Sequence, residues 1–471
     1  MKKPLIILML FFFVTVYGKQ YNIIDFGAKN DTAVLSTAAV QAAIDACAAN
    51  GGGQMLIPAG KYKIGTIVLK SGVDLHLESG ATLLGSRDLA DYIKIQPAYI
   101  SLRTQTPTVQ LIYAENAENV SITGRGTIDG QGGGFPKLSW NDEGITRPHL
   151  LRFVTCRNIL IENISLQNSG CWMQHYLACD ELQIRGVRVF NRNNYNNDAL
   201  DIDGCRNVTV SDFIADSDDD GITLKSTSPR PCENITITNC IVSSRCNAIK
   251  LGTETNGGFR NIRISGIVVK PSTVEAKPFY GRTGGSSAVS LEIVDGGVME
   301  NIQVSDILVE GTEAPIFVRL GNRARSYKEG LKIENTGAIK GLTISNIRIL
   351  NAGKTGCSIT GQPNFMVEDI TLSDIIFEQS GGGTATDCIS APAELAAEYP
   401  EATMFGTLPA CGFYIRHAKN LTFTNIKTQT LTPDLRPAFV LEDVENMQFI
   451  NLTGKTNVIQ RENCKDIIVK Q

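Results

Sequence analysis

The sequence has almost no excess of charge of either sign. Its 44 lysines and arginines against 48 aspartates and glutamates give a net charge of -4, and 20% of the residues are charged. This excludes the basic stripe of a nucleic-acid-binding protein, so an acidic substrate would have to be met by local cations. The glycines at 51–53 follow a predicted helix instead of preceding one, which excludes a phosphate-binding loop.

Long hydrophobic runs are lacking after residue 18. Residues 1–18 place two lysines before an apolar run and end on Gly18, which predicts a cleaved signal peptide and not a membrane anchor. We therefore expect a secreted or periplasmic protein without a membrane span. Residues 19–471 are predicted to form one catalytic domain, and we expect it to be a monomer.

The chain repeats, but it lacks a leucine ladder. A turn residue followed by alternating β-branched residues recurs with tightest spacings of 20 to 28 residues, which is typical of a solenoid. The twelve turn positions are Asn119, Asn158, Glu181, Asn207, Asn234, Asn261, Asn301, Gly341, Asp369, Asn420, Asn446 and Asp466. Leucine-rich repeats share this period, but Val, Ile and Thr dominate here, as in strands. The sequence therefore predicts an all-β fold, a right-handed parallel β-helix.

An apolar residue stands two positions before every turn residue. Such a ladder must point inward, and it assigns five of the twelve cysteines to the core instead of to disulfides: Cys156, Cys179, Cys205, Cys232 and Cys464. Cys388 and Cys411 flank a long loop and are the best candidates for a disulfide. The turn asparagines that match the glycosylation pattern are interpreted as structural. Residues 36–50 predict a short N-terminal helix that covers the open end of the solenoid.

Polar residues interrupt a second set of strands, in WMQHYLAC, DALDIDGC, DGITLKST and NAIKLGTE. Stacking these segments predicts three ladders on one face: Asp198 with Asp220 and Asn247, His175 with Asp201, Thr223 and Lys250, and Asp203 with Lys225. Neighbouring coils lie about 4.8 Å apart, so Asp198, Asp219 and Asp220 should be crowded together. Crowding raises the pKa of one carboxyl while another stays ionised, which provides the acid and the base for glycosidic cleavage. A calcium site or a solvated turn is the alternative interpretation.

The chain resembles glycoside hydrolase family 28, the polygalacturonase family of pectin-degrading β-helix enzymes. The resemblance runs from DFGAK at Asp25 to at least GGVMENI at Gly296. The family's NTD motif matches NND, which ends at Asp198, and its GDD motif with the following KS matches DDDGITLKS, at Asp219 and Asp220. The resemblance implies an inverting glycoside hydrolase without a metal or cofactor. By position, Asp219 is the general acid, and Asp198 and Asp220 activate water.

Two family positions have changed. The histidine of the family's GHG segment is Asn247, which cannot titrate, and the cationic RIK motif falls on Ser290, Leu291 and Glu292. Because paired cations bind a galacturonate carboxylate strongly, the loss favours a mixed pectin such as rhamnogalacturonan over plain homogalacturonan. We expect Lys250 or His175 to take over from the histidine, and the nearest replacements for the RIK cations are Lys225, Lys250, Arg319, Arg323 and Arg325. The residues predicted to bind substrate are Asn247, Lys250, Lys225, Asp201, His175, Trp172 and Arg319.

The mode of action and two other classes of function stay open at this point. Loops at 271–287, 321–338 and 378–412 would wall one end of the groove, which would make the enzyme exo-acting. A polysaccharide lyase would use calcium beside a basic residue, and Asp201, Asp203 and Lys225 imitate such a site. A non-catalytic carbohydrate-binding β-helix would tolerate both changed positions.

Overall fold

The fold is the predicted right-handed parallel β-helix with a short N-terminal capping helix. The computed structural model describes residues 19–272, 274 and 284–470. The proposed signal peptide lies outside the described residues. In the described part of the chain, no helix is both long and apolar enough to cross a membrane.

Three parallel sheets run along the solenoid, because each coil contributes up to three strands. The first sheet contains the strands that follow the turn residues: Gln20–Asn22, Gly53–Ile57, Val73–Leu77, Glu118–Gly124, Arg157–Glu162, Asp180–Arg185, Arg206–Ser211, Cys232–Ser244, Gly258–Val269, Val298–Glu310, Ala338–Ala352, Val367–Gln379, Phe413–Thr430, Phe439–Ile450 and Lys465–Lys470. From Cys232–Ser244 to Phe413–Thr430 these strands are long enough to continue into the second sheet.

The second sheet begins with short strands: Gly60–Ile64, Ala81–Gly85, Thr127–Asp129, Ser165–Gln167, Arg188–Asn191 and Ile214–Ser217, with Thr453–Gly454 at its far end. The third sheet precedes each turn and consists of Ile67–Val68, Thr108–Glu115, His149–Val154, Gln174–Leu177, Leu200–Asp203, Ile222–Ser226, Asn247–Thr255, Ser287–Ile293, Ile316–Leu320, Cys357–Thr360 and Val458–Gln460. It is completed by the starts of Phe413–Thr430 and Phe439–Ile450. Lys94–Ile95 pairs antiparallel to Thr108–Glu115.

The helices are few and short. The capping helix, Thr37–Ala49, buries Val40, Ala43, Ile44 and Cys47 against the first coils, as predicted from their spacing. A single helical turn at Ala385–Cys388 and four 3-10 turns lie in the connections: Ile23–Phe26, Leu89–Asp91, Gly132–Gly134 and Trp140–Asp142.

All twelve predicted turn residues have a left-handed backbone, with φ between 51 and 66°. Asparagine tolerates this conformation better than most residues, and its side-chain amide adds a ladder of hydrogen bonds from coil to coil. Nδ2 of Asn301 donates to Asn261 at 2.8 Å, Asn261 to Asn234 at 3.1 Å, and Asn234 to Asn207 at 3.2 Å. The structural interpretation of these asparagines is therefore supported by their contacts.

The inward ladder is buried as predicted, with the terminal Cys464 only partly covered. The predicted disulfide is wrong, because Cys388 and Cys411 are both free thiols. Cys411 is fully buried, whereas Cys388 sits in the single helical turn of the loop and its Sγ contacts the Thr384 carbonyl at 3.3 Å.

Replacing Ile237 by alanine is expected to lower the free energy of unfolding by about 2–5 kcal/mol. Ile237 is fully buried and stacks between Val210 and Ile264 of the adjacent coils, so its loss leaves a cavity that fixed neighbours cannot fill. Urea unfolding would measure the loss. The adjacent Thr236 is exposed, and Thr236→Ala should change stability by about 0.5 kcal/mol or less. Equal effects of the two substitutions would contradict the core assignment.

Candidate active site

The third sheet aligns the polar residues in the predicted register. His175 pairs with Asp201, Asp201 with Thr223, and Thr223 with Lys250. Two residues further along the same strands, Asp203 pairs with Lys225. These ladders are confirmed, and they follow from a constant strand-to-turn distance in successive coils.

The catalytic candidates lie where the chain enters the third sheet. The amide of Ala199 donates to the carbonyl of Asp220 at 3.0 Å, and the amide of Gly221 donates to the carbonyl of Asn247 at 2.8 Å. These bonds stack Asp198, Asp220 and Asn247, as predicted. A cavity of about 310 Å³ opens over them, and Asp219 also lines it.

Asp220 is the carboxylate held in its ionised form. Its Oδ1 accepts hydrogen bonds from Nδ2 and the backbone amide of Asn247, at 2.8 and 3.1 Å, and its Oδ2 lies 3.1 Å from Nζ of Lys250. Burial alone would raise the pKa of Asp220, but Lys250, Lys225 and the Asn247 hydrogen bond outweigh it and lower the pKa. Asn247 at the family's histidine position therefore serves as a donor to this base.

Asp219 has the opposite environment. Burial, followed by the neighbouring charge of Asp220, raises the pKa of Asp219 to about 7. Its Oδ1 accepts the backbone amide of Asp220 at 2.9 Å, which fixes the side chain beside the ionised carboxylate. Asp219 is thus protonated over the mildly acidic range in which Asp220 is ionised, and the two provide an acid and a base side by side.

Asp198 and Asp201 form a second carboxyl pair. Burial raises the pKa of Asp201 to about 8, and burial together with Asp201 raises the pKa of Asp198 well above its usual range. Oδ1 of Asp198 and both carboxyl oxygens of Asp201 receive no hydrogen bond from any other described group. The raised pKa favours the protonated form of Asp198, so Asp198 must release a proton before it can act as a base.

Three residues predicted to bind substrate lie behind the cavity wall. Asp201 is fully buried and faces Asp198 and Lys225. Nε2 of His175 pairs with Asp203 at 3.1 Å, and burial lowers the pKa of His175 to about 4, so this neutral ring cannot replace the missing family histidine. Arg319 donates to the carbonyls of Glu394 and Leu395, at 2.5 and 3.3 Å. None of these three residues lines the cavity, and their polar contacts are with other groups of the protein.

Trp172 lines the cavity, but its ring is not an open platform. The residue is 3% exposed, and Arg103 and Lys225 each lie 4.7 Å from the ring centre. His175 packs edge-on against the same ring at 5.0 Å. Cation–π attraction to the Trp172 ring therefore positions the Arg103 guanidinium and the Lys225 ammonium.

Several residues that line the cavity were not predicted. Glu254 lies on the same strand as Lys250, Asn247–Thr255, so the sequence offered a signal for a second charged residue at the site. The others come from connections without any period: Arg103, Asn141, Glu143, Asn196, Tyr399 and Glu401. Arg325, one of the predicted replacement cations, also lines the cavity. The hydroxyl of Tyr399 lies 3.2 Å from Nζ of Lys250 and 3.0 Å from Oγ1 of Thr253, which anchors the long loop over the site.

The changed family positions lie beside Lys250. Ser290 pairs with Lys250 in the third sheet and donates to Oε1 of Glu292 at 2.7 Å. Burial raises the pKa of Glu292 to about 7. The positions of the family's paired cations are thus occupied by the Ser290 hydroxyl and the buried Glu292 carboxyl, and neither carries a positive charge to bind a substrate carboxylate.

The same region contains one set of potential metal ligands in the described part of the chain. Ligand atoms of Asp219, Asp220 and Cys246 all lie within 4.8 Å of one another. Asp201 and Asp203, which imitated the calcium ligands of a lyase, are fully buried, and Asp203 also accepts from the amide and hydroxyl of Thr227. Neither can face an incoming substrate.

A parallel β-helix with an acid–base pair of aspartates on one face defines a class of carbohydrate-active enzymes. The family model of glycosyl hydrolases family 28 matches residues 47–397, and the chain belongs to this family.

Individual relatives match over shorter stretches. A protein named "Probable polygalacturonase" of Vitis vinifera is 33% identical over 215 residues, 44% of each chain. An "Exo-poly-alpha-D-galacturonosidase" of Dickeya chrysanthemi is 41% identical over 126 residues, 25% of this chain and 20% of the relative. The chain thus spans less than half the length of these two relatives. The solved exopolygalacturonase of Thermotoga maritima shares the fold, with a TM-score of 0.67 at 21% identity over 87% of this chain and 92% of the other.

Proposed function

We propose that this protein is an inverting glycoside hydrolase that cleaves galacturonosyl or rhamnogalacturonan linkages of pectic polysaccharide. The observation that carries the proposal is the pairing of Asp219, whose pKa is raised to about 7, with Asp220, whose pKa is lowered. Glycosidic cleavage requires one protonated and one ionised carboxyl at a shared site, and inversion is the mode that the family resemblance implies.

In the proposed mechanism, Asp219 donates its proton to the oxygen of the leaving sugar. Asp220 accepts a proton from the water that attacks the anomeric carbon from the opposite side, and Asp198 assists once it has lost its proton. Lys250 keeps Asp220 ionised through their 3.1 Å contact. Asp198 and Asp220 are each only 3% exposed, and burial away from bulk water strengthens these electrostatic interactions.

The pectic substrate is supported by the family and by two relatives that are named as a polygalacturonase and an exo-poly-alpha-D-galacturonosidase. The loss of the cationic motif at Ser290 and Glu292 favours a mixed pectin, and the exopolygalacturonosidase likeness favours homogalacturonan as the second candidate. Exo action is supported by the loops, because Arg325 from 321–338 and Tyr399 and Glu401 from 378–412 line the cavity. Most of the loop 271–287 lies outside the described residues.

A panel of pectic oligosaccharides tests this proposal. Purified protein should release saturated mono- or disaccharide from the chain end of at least one galacturonide or rhamnogalacturonan oligomer. An unsaturated product that absorbs in the ultraviolet and requires calcium would indicate a lyase instead. Binding without any turnover would indicate a non-catalytic β-helix.

Export and oligomeric state belong to the same proposal. The charged and apolar pattern of residues 1–18 supports cleavage after Gly18 and a secreted or periplasmic location. Amino-terminal sequencing of the protein purified from its native host would test the cleavage site. A single-chain mass in light scattering would support the expected monomer.

The pH dependence of kcat/KM is expected to be bell-shaped, with its alkaline limb near pH 7. Asp219 works only when protonated, so activity falls as the pH rises through its pKa of about 7. Asp220 works only when ionised, and its pKa lies below the usual 3.8, so it remains ionised down to that acidic range. Rates measured across this range check the assignment. Full activity about two pH units above the predicted limb would contradict Asp219 as the acid.

A further inference from the structure

The two lysines of the cavity are already committed to protein carboxylates. Lys250 is held by Asp220 at 3.1 Å, and its side chain is 2% exposed. Lys225 lies 3.6 Å from Asp201 and 3.5 Å from Glu254, and its side chain is 5% exposed. Neither ammonium can turn toward a substrate without leaving a buried carboxylate unpaired, which is costly.

Arg325 differs from both lysines. Its side chain is 43% exposed, and among the described residues its guanidinium has one carboxylate within 4 Å, Glu254, at 3.9 Å. It also lines the cavity over the three aspartates. This arginine is therefore free to form a closer, bidentate contact.

The backbone around Arg325 is held in place. Its amide donates to Oδ1 of Asp295 at 2.9 Å, and its carbonyl accepts from Nδ2 of Asn256 at 2.8 Å. Arg323 binds the same buried Asp295 at 2.5 Å, which ties the loop to the third sheet. The backbone of Arg325 is thus held in place above the cavity, and its side chain is the part that can reorient.

Glu254 has several cationic partners at this end of the cavity. Arg103, Lys225 and Arg325 converge on Glu254, and Nη2 of Arg103 lies 2.5 Å from its Oε1. Arg103 also contacts Glu143 and Lys225 also contacts Asp201, so of the three cations only Arg325 has no second carboxylate within 4 Å among the described residues. Burial and then Arg323 and Arg103 lower the pKa of Arg325, despite the opposing effect of Glu254. Glu254 keeps Arg103 and Lys225 when Arg325 turns away, so Arg325 can bind a further anion without leaving a buried carboxylate unpaired.

We propose that Arg325 binds the carboxylate of a uronate residue of the substrate, in place of the cations missing at Ser290 and Glu292. This inference rests on the proposed function for its ligand class. The planar guanidinium can bind both carboxylate oxygens, and a methyl-esterified uronate would lose one charge and this geometry. The enzyme would then select unesterified uronate at this position.

A binding experiment separates this inference from the question of turnover. In the Asp219→Asn background, calorimetry would compare the affinity for trigalacturonate and for its methyl ester, with and without Arg325→Ala. We expect Arg325→Ala to weaken binding of the free acid about tenfold to a hundredfold and binding of the ester less than about threefold. Arg325→Lys should restore part of the difference.

Lys328→Ala is the matched control, because Lys328 is an exposed cation of the same loop that does not line the cavity. It should leave both affinities unchanged. Equal loss for acid and ester, loss in the control, or no binding of trigalacturonate to the Asp219→Asn protein would overturn the inference. Arg325-dependent binding without turnover of any pectic oligomer by the wild type would uphold the inference and reject the proposed function.

Discussion

Replacement of Asp219 by asparagine is expected to lower kcat on pectic oligosaccharides about 10⁴-fold. Asparagine keeps the shape and can still accept the backbone amide of Asp220, at 2.9 Å from Oδ1 in the wild type, but it has no proton to give to the leaving oxygen. Substrate affinity and the unfolding transition should remain close to those of the wild type. Steady-state kinetics with direct measurement of binding would check this.

A substrate with an activated leaving group provides the control for Asp219. A nitrophenyl glycoside expels an anion that needs no protonation, so Asp219→Asn should lose far less activity on it than on a natural linkage. The corresponding Asp220→Asn protein should be impaired on both substrates, since it lacks the base. If Asp219→Asn were equally impaired on both, Asp219 would not be the general acid.

Replacement of Lys250 by methionine is expected to lower kcat/KM about 10²- to 10³-fold near the pH optimum. Methionine fills similar space but removes the ammonium that lies 3.1 Å from Oδ2 of Asp220. Asp220 would then be buried near Glu292 and Glu401 with Lys225 as its remaining cationic neighbour, so its pKa would rise. Because the base acts only when ionised, the acidic limb of the pH profile should move to higher pH.

The shift of the acidic limb distinguishes the loss of the Lys250 charge beside Asp220 from a general loss of structure. Breaking a buried ion pair also destabilises a protein by about 3–5 kcal/mol, so urea unfolding must accompany the kinetics. Lys250→Arg retains the charge and should keep the acidic limb near its wild-type position. An unchanged limb in a folded Lys250→Met protein would contradict the role given to Lys250.

The sequence predicted the ladders of the third sheet because a solenoid repeats its register. Once the turn residues are aligned, Asp220 must follow Asp198 by one coil, and Asn247 must follow Asp220. The chemical consequence of that register was harder to predict. Lys250 was expected to bind substrate, yet its position above Asp220 commits it to the base, and His175 is used by Asp203.

The connections between coils could not be predicted to the same depth. Arg103, Glu143 and Tyr399 lie in insertions that have no period, so nothing in their sequence fixes where their side chains go. They reach the cavity through contacts between distant segments, such as Arg103 with Glu254 and Tyr399 with Thr253. The general position of the loop 378–412 was predicted, but its tyrosine and glutamate were not.

The configuration of the first product tests the central claim most directly. Proton NMR during the first turnovers of an α-linked galacturonide should show the β anomer of the released sugar, before mutarotation produces the α anomer. This result is predicted because Asp220 activates water on the face opposite to the leaving group protonated by Asp219. Initial release of the α anomer would require a covalent intermediate on one of the carboxylates and would contradict the account.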